Sequence, residues 1–595
     1  MDLVDQNRNR SGITLLRLGF VVLGFVAAIL GFFGFARFLA GQDDTPAEQV
    51  DVLYYTLQLF VLDADQLTDG AGDLPWQLQV ARFAAPAATV FALVETARLL
   101  LIGEVHRLRV RRARQHVVVC GDSAVARNLA AGLHATGRTV VVIGAPAGSH
   151  VTSPRRRLYH VPGDPTDTEV LRTAGAGRAD LLYACTGSST DNVLTATTAG
   201  LLCDEHNDAM RIYAQIHDPE LCLAMQARRL SHSLGSSLRL DFFNVDELAA
   251  RWLFRQDPLP ATRLSRLLVV GLSPFGRAVL VELARHWRMQ ETRAAGRLQV
   301  DLVAVNGRTV IRELFHRYPF LAQVCDVAVY ERDFATPSPD VMFDLPYDRV
   351  FICYEDEELG LKTALTTPSL WQGGPGSVIV PVTRLSGLAG AFTDGDDGTG
   401  LLDAVSGTVR CYPMVQAAGD ADRIGDDLVE RLGRSIHDRY VLAHRAHDSD
   451  PTGNPAMWPW AVLPEDLRRA NRAQAQDIGR KLRTLGMALA PRQSANPPMR
   501  LSADQVDRLA VMEHDRWVAE RWAAGWRPGR QRDRSLRTHP DLQRWEKLSD
   551  SVQEKNRQEV RQIPDVLADI GLEIVSVAGR REPAATSRPR GEPVR

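Results

Sequence analysis

The sequence predicts a two-helix membrane hairpin, then α/β domains built on parallel sheets, then a duplicated, mainly α-helical region. Three observations carry this reading. An apolar run at 13–39 is long enough to cross a bilayer. Two stretches, from His116 and from Leu264, each read as buried strand, tight glycine turn, helix and second buried strand. The last third of the chain aligns with itself at an offset of 85 residues.

The hairpin is assigned to residues 1–105, with spans at about 13–39 and 79–102. The first reads ITLLRLGFVVLGFVAAILGFFGFARFL, where only Arg17 and Arg37 are charged and both lie near the ends, within snorkelling reach of headgroups. About 20 helical residues cross a hydrocarbon core of roughly 30 Å. The second span is less apolar and holds Arg82, Glu95 and Arg98. Glu95 and Arg98 stand three apart, share a helix face and can pair. Arg8, Arg10 and Arg17 precede or open the first span, and His106, Arg107, Arg109, Arg111, Arg112 and Arg114 follow the second. Residues 41–79 between them contain eight acids and no Lys or Arg. The positive-inside rule then places both termini in the cytoplasm of a multi-pass protein of the cell membrane. A signal peptide is disfavoured, because the run is too long and lacks a small-x-small cleavage site.

Between the spans, VDVLYYTLQLFVLDAD (50–65) is apolar enough for about three helical turns and too short to cross. Two readings stay open. The segment dips back into the membrane, as in a two-helix ion pore, or it lies outside as a cap. No TVGYG-like filter is present, so Asp63, Asp65 and Glu95 are the candidate pore residues.

Composition narrows the soluble part. A formal net charge of −2 argues against a general nucleic-acid binder. Seven cysteines without a C-x-x-C pair suit reduced, buried thiols rather than disulfides or a metal site. The chain has four lysines, none in a Walker A loop, and neither H-E-x-x-H nor G-x-S-x-G occurs, so no enzymatic activity is expected.

In the first α/β stretch, HVVVCGDSAVARNLAAGLHATGRTVVVIG, the turn Gly121-Asp122-Ser123-Ala124-Val125-Ala126 is a worn G-x-G-x-x-G. It lies where a helix N-terminus would face phosphate. Gly121 supplies the turn, Ser123 stands for the glycine that admits a pyrophosphate, and Ala126 permits close helix packing. Downstream come Gly163-Asp164-Pro165-Thr166-Asp167, then a strand ending in Thr186-Gly187, then Asp191-Asn192. With these segments, residues 115–255 resemble the RCK (TrkA-N) family, whose Rossmann-like fold regulates potassium channels and transporters and binds nucleotides or ions. The resemblance implies that Gly121, Ser123, Ala126, Asp164, Thr186 and Asp191 line a nucleotide site. No acid follows Ile143 to grip a ribose, so NAD is disfavoured, and an adenine nucleotide or nucleotide messenger is the candidate ligand. Residues 263–395 are similar to the same family but more diverged, with Gly271 and Gly276 framing Ser273 and Asn306 following the second strand. Between the copies, Leu240–Phe254 is predicted as one connecting helix.

The C-terminal repeats are placed at 425–490 and 501–578, each reading helix, aromatic loop, helix, before a disordered Arg/Pro-rich tail at 579–595. His437-Asp438-Arg439-Tyr440 aligns with His514-Asp515-Arg516-Trp517. The second unit, with MEHDRW, AGW, HPDL and KNR, resembles the RyR repeat domain. Trp517, Trp526, Trp545 and Arg557 combine stacking faces with fixed positive charge and are candidate ligand residues. The bland alternative makes Trp517 and Trp526 core residues and Arg557 a structural ion-pair partner.

The expected whole is a homotetrameric, ligand-gated cation channel, with potassium as the candidate ion, or the regulatory core of one. Its partners are lipid, further copies of itself and a small nucleotide-type ligand or ion. The alternative is a non-conducting, membrane-tethered nucleotide sensor.

Overall fold

The computed structural model describes residues 2–39, 49–61, 74–144, 157–203, 210–232, 239–259, 266–290, 296–333, 347–385, 405, 407–425, 427–444, 454–533 and 535–577. The chain divides into two compact units, Met1–Arg112 and Ala113–Arg595.

The first unit holds α1 (Asp2–Leu39), α2 (Gln49–Gln58, continued by a 3-10 turn at Leu59–Val61) and α3 (Trp76–Arg112). Their membrane-length apolar windows are Leu18–Leu39 and Trp76–Ala97, with mean hydropathies of 2.5 and 1.3. The second window starts three residues before the predicted span, and its helix runs on through the basic flank, because arginine is a good helix former and nothing there breaks the ladder. Pro86 sits inside α3, where it removes one amide donor. Glycine sets the close approaches. A Cβ on Gly34 would lie 2.7 Å from Leu78, and one on Gly31 would lie 3.1 Å from Thr56. Leu59, Val52 and Thr56 are buried against Ala27, Phe35 and Leu78. The Thr56 hydroxyl donates to the Val52 carbonyl at 2.7 Å, so no polar group is stranded there. The opposite face of α2 and its 3-10 turn exposes Val50, Leu53, Tyr54, Leu57 and Val61. Both faces are therefore apolar.

In the second unit, the first sheet comprises β1 (Val117–Cys120), β2 (Val140–Gly144), β3 (Leu158–Pro162), β4 (Leu181–Ala184), β5 (Arg211–Gln215) and β6 (Arg239–Phe243). The order is β3-β2-β1-β4-β5-β6 and every pair is parallel, a doubly wound Rossmann-like arrangement with its switch point between β1 and β4. Continuous apolar strands such as VVVC are buried on both faces, as covered parallel sheets require. The helices are α4 (Ala124–Ala135), α5 (Thr168–Thr173), α6 (Ser189–Leu201), α7 (Pro219–His232) and α8 (Val245–Gln256). The predicted helix over Leu240–Phe254 is corrected here. Leu240–Phe243 belongs to the edge strand β6, and α8 starts only after Asn244, whose side chain caps the Glu247 amide at 3.0 Å. A short apolar run before a cap satisfies strand and helix patterns alike.

The second sheet repeats the winding: β7 (Arg266–Val270), β8 (Leu298–Val303), β9 (Cys325–Tyr330), β10 (Arg349–Ile352), β11 (Val378–Val382) and β12 (Val409–Pro413), ordered β12-β11-β10-β7-β8-β9. Its helices include α9 (Pro274–Met289), α10 (Gly307–Arg317), α11 (Pro319–Val324) and α12 (Glu357–Thr366). The sixth strand lies past residue 395, because the Gly/Asp-rich sequence at 394–400 reads as a domain end although one more strand follows it.

The C-terminal region has helices at Asp427–His444, Glu465–Thr484, Ala503–Ala523, Asp550–Arg561 and Ile563–Asp569. Strand Met487–Pro491 pairs antiparallel with Leu572–Ser576, and Leu489 faces Ile574. Those two residues are 85 apart, so equivalent strands of the two repeats pair about a local two-fold axis. The tail at 579–595 lies outside the described residues.

Candidate ligand sites

The turn after β1 is shaped by Gly121, at φ +117°, where a Cβ would come within 2.6 Å of the Cys185 carbonyl. Ser123 is the N-cap of α4. Its hydroxyl accepts from the Ala126 amide at 3.1 Å and donates to the Cys185 carbonyl at 2.6 Å. The serine therefore fills the position of the middle glycine and occupies one of the amides that a phosphate would use. Ala126 is fully buried against the sheet. Asp164 is exposed and spends Oδ1 on the Thr166 amide (2.8 Å) and hydroxyl (2.7 Å), bonds that hold its carboxyl below the ordinary range. The Thr186 amide donates to buried Asn192 at 2.7 Å, and Asn192 also donates to the Gln215 carbonyl at 2.9 Å. Asn192 thus clasps β4 to β5 and leaves Asp191 exposed in the first turn of α6.

The second copy has the same construction. Gly271 lies at φ +82°, a Cβ there would meet the Cys353 carbonyl at 2.6 Å, and Ser273 caps the Gly276 amide at 3.3 Å. Gly276 packs so closely that a Cβ would lie 2.7 Å from that of Cys353. In both copies an arginine one residue further on folds back over the turn. Arg127 donates to the Asp122 carbonyl, and Arg277 to the Leu272 carbonyl at 3.3 Å. Sequence reading passed over this pair, although the identical spacing in the two copies was visible. In each copy the turn thus carries a guanidinium tied to its own backbone carbonyl.

In the C-terminal region, Trp517, Trp526 and Trp545 are each half-buried, so Trp517 and Trp526 are not core residues. Trp517 and Trp526 both flank His539, with ring centroids 5.0 and 6.3 Å away, and the Arg521 guanidinium lies 5.8 and 5.4 Å from their rings. Burial holds His539 below the usual histidine range, which keeps the ring neutral between the two indoles. Arg557 lies 5.7 Å from the Trp545 ring and pairs with Asp507 at 2.6 Å. His514 joins the candidates, its ring lying 5.9 Å from that of Trp517 and 6.0 Å from that of Trp545. Sequence reading missed His539.

Of the pore candidates, Glu95 is half-buried in α3, while Asp63 and Asp65 lie outside the described residues. All seven cysteines are free, and burial holds Cys120, Cys185 and Cys353 well above the ordinary thiol range. Among the described residues no group of three or more His, Cys, Asp or Glu is placed to hold a metal ion.

Comparison with known families adds that residues 117–232 match the TrkA-N domain and residues 500–576 the RyR domain. The chain carries a TrkA-N domain and a RyR domain. The TrkA-N match covers the whole Gly121 turn and the Asn192 clasp, and the RyR match covers the Trp517–His539–Trp526 cluster. Similar solved structures include GsuK bound to ADP (16% identity, 68% of this chain and 96% of that one, TM-score 0.34). Others are the GsuK channel bound to NAD (13%, 81% and 86%, 0.30) and a dipicolinate synthase chain from Bacillus halodurans (13%, 53% and 97%, 0.20). At these scores none of them carries a functional argument. No curated protein matches the chain.

Proposed function

We propose that the chain forms a homotetrameric, ligand-gated cation channel in the cell membrane, with its TrkA-N and RyR domains as cytosolic sensors. The observation that carries this reading is α2. Its buried side packs Val52, Thr56 and Leu59 against both long helices, and its other side presents Val50, Leu53, Tyr54, Leu57 and Val61. A cap bathed in water would leave that second face polar, whereas a segment dipping into the membrane against neighbouring copies needs it apolar. Only four residues separate the end of α3 at Arg112 from β1 at Val117. A ligand that favours one arrangement of the α/β domain therefore acts on a short tether to the second span. It biases the gate only through its differential affinity for the two states.

Purified protein in liposomes tests the reading. Cation flux that responds to an adenine nucleotide, and that falls when Leu53→Asp and Leu57→Asp are introduced together, supports it. A tetramer that conducts neither K⁺ nor Na⁺ with any nucleotide would leave a tethered, non-conducting sensor. At the TrkA-N turn, Ser123 and Arg127 favour an adenine mononucleotide or a dinucleotide messenger over NAD(H). Calorimetry on the full chain reads this directly, with Arg127→Ala expected to weaken mononucleotide binding about tenfold, the effect of losing a charge-assisted bond of about 1.4 kcal/mol.

A further inference from the structure

A cavity of about 620 Å³ lies inside the second unit, away from the Gly121 and Gly271 turns. Its walls come chiefly from β4 and β5 of the first sheet, α8, α9 of the second α/β domain, and the helices Asp427–His444, Glu465–Thr484 and Ile563–Asp569. Nine arginines line it against five carboxylates, a surplus of four positive charges.

The carboxylates are already engaged. Glu282 binds Arg285 at 2.5 Å, Glu430 binds Arg472 at 2.6 Å, and Asp569 binds Arg288 at 2.9 Å and Arg439 at 2.6 Å. Among the described residues, Arg434 reaches the single carboxylate of Asp438, at 3.7 Å. Arg255 has an accessible side chain and makes no hydrogen bond or ion pair among the described residues. Partial desolvation at the cavity wall, and after it the neighbouring Arg434 and Arg251, depress its pKa, while Glu282 and Glu430 pull it up. An arginine-lined void of this size falls within the range of small-ligand sites. Guanidinium groups are the side chains best matched to phosphate oxygens.

We infer that this cavity is a binding site for a small polyphosphate carrying three to four negative charges, held by Arg255 and Arg434. Nucleoside polyphosphates and inorganic oligophosphates share that chemistry. Because the walls belong to both α/β domains and to the C-terminal repeats, an anion here ties the three together. This site is independent of the turn sites on which the proposed function rests.

The test uses the full chain in nanodiscs, with ATP and inorganic tripolyphosphate as probes in calorimetry and thermal melting. Each chain should bind one tripolyphosphate, and the Arg255→Ala/Arg434→Ala double variant should lose at least tenfold in affinity while Arg127→Ala does not. Without ligand, Arg255→Ala alone should melt at or above the wild-type temperature, since that guanidinium has no ion pair to lose among the described residues and sits beside Arg434 and Arg251. Arginines that merely brace the fold would lower it. Equal affinity for both probes assigns the site to polyphosphate itself, and a clear preference for ATP assigns it to a nucleotide. Absent binding, binding unchanged in the double variant, or a lower melting temperature of ligand-free Arg255→Ala would overturn the inference.

Discussion

In the first C-terminal repeat the His437 ring bonds the Trp458 carbonyl at 2.8 Å, and in the second His514 bonds the Gln543 carbonyl at the same distance. Arg472 pairs with Glu430 at 2.6 Å, and its counterpart Arg557 pairs with Asp507 at 2.6 Å. The skeleton is shared to this level of detail. What differs is the tryptophan beneath each arginine. Trp460 is buried, and its indole N–H donates to Glu430 at 2.9 Å, whereas Trp545 is half-buried. One methylene separates Glu430 from Asp507, and the longer acid serves both the guanidinium and the indole. Around this point the first repeat has Tyr440 stacked on His444 at 4.1 Å, while the second carries the Trp517–His539–Trp526 cluster. One architecture thus buries Trp460 in the first repeat and leaves its tryptophans half-exposed in the second.

The largest effect that could break this contrast is at the tryptophans. Trp460→Ala should cost about 3–5 kcal/mol of stability by chemical denaturation, the range for a buried aromatic, and Trp545→Ala less than half as much. Equal costs would abolish the distinction. Next is the bond between the two halves. Lys481 and Glu513 form a buried ion pair, and Arg516 also reaches Glu513, at 2.6 Å. Burial alone would raise the Glu513 pKa, but Lys481 and Arg516 hold it below the ordinary range. Lys481→Met leaves the carboxylate half-compensated and should destabilise by about 3 kcal/mol, at the low end for a broken buried pair because Arg516 remains. A neutral result would show that the halves are not joined there.

Protonation gives a smaller, graded effect. Burial lowers the His437 pKa, so the native state binds fewer protons there than the unfolded chain. This contribution is complete above the ordinary histidine value of 6.5 and is lost as pH falls below it. Melting temperatures between about pH 7.5 and 5 should fall less steeply in His437→Gln than in wild type. The smallest change concerns the outer ion pairs. Arg472→Ala should lower stability measurably, and Arg557→Ala should lie within experimental error, since its partner Asp507 is exposed whereas Glu430 is half-buried.

Much of this architecture was legible in the sequence. Buried apolar strands bounded by glycine turns gave both parallel sheets away, because VVVC and LLVV can satisfy their backbones and bury both faces in few other ways. The repeat showed itself because aromatic, proline and glycine positions constrain geometry locally. The edge strand β6 escaped because a helix cap four residues into an apolar run is invisible to periodicity. The roles of Ser123 and Asn192 were hidden for a related reason. Their partners, the Cys185 and Gln215 carbonyls, are backbone groups 62 and 23 residues away, on which side-chain patterns carry no information. The arginine-lined cavity drew on seven helices and two strands, and spacing cannot announce a convergence of that kind.

The pairing of Met487–Pro491 with Leu572–Ser576 bears on how such a domain could arise. Since Leu489 meets Ile574 and the pairing runs symmetrically outward from them, either strand is the natural complement of its own copy in another molecule. A single ancestral repeat with this strand would have been an edge seeking its twin. Duplication within one chain closes that edge internally, raises the effective concentration of the partner strand and frees the residues away from the shared strands to differ between the two copies.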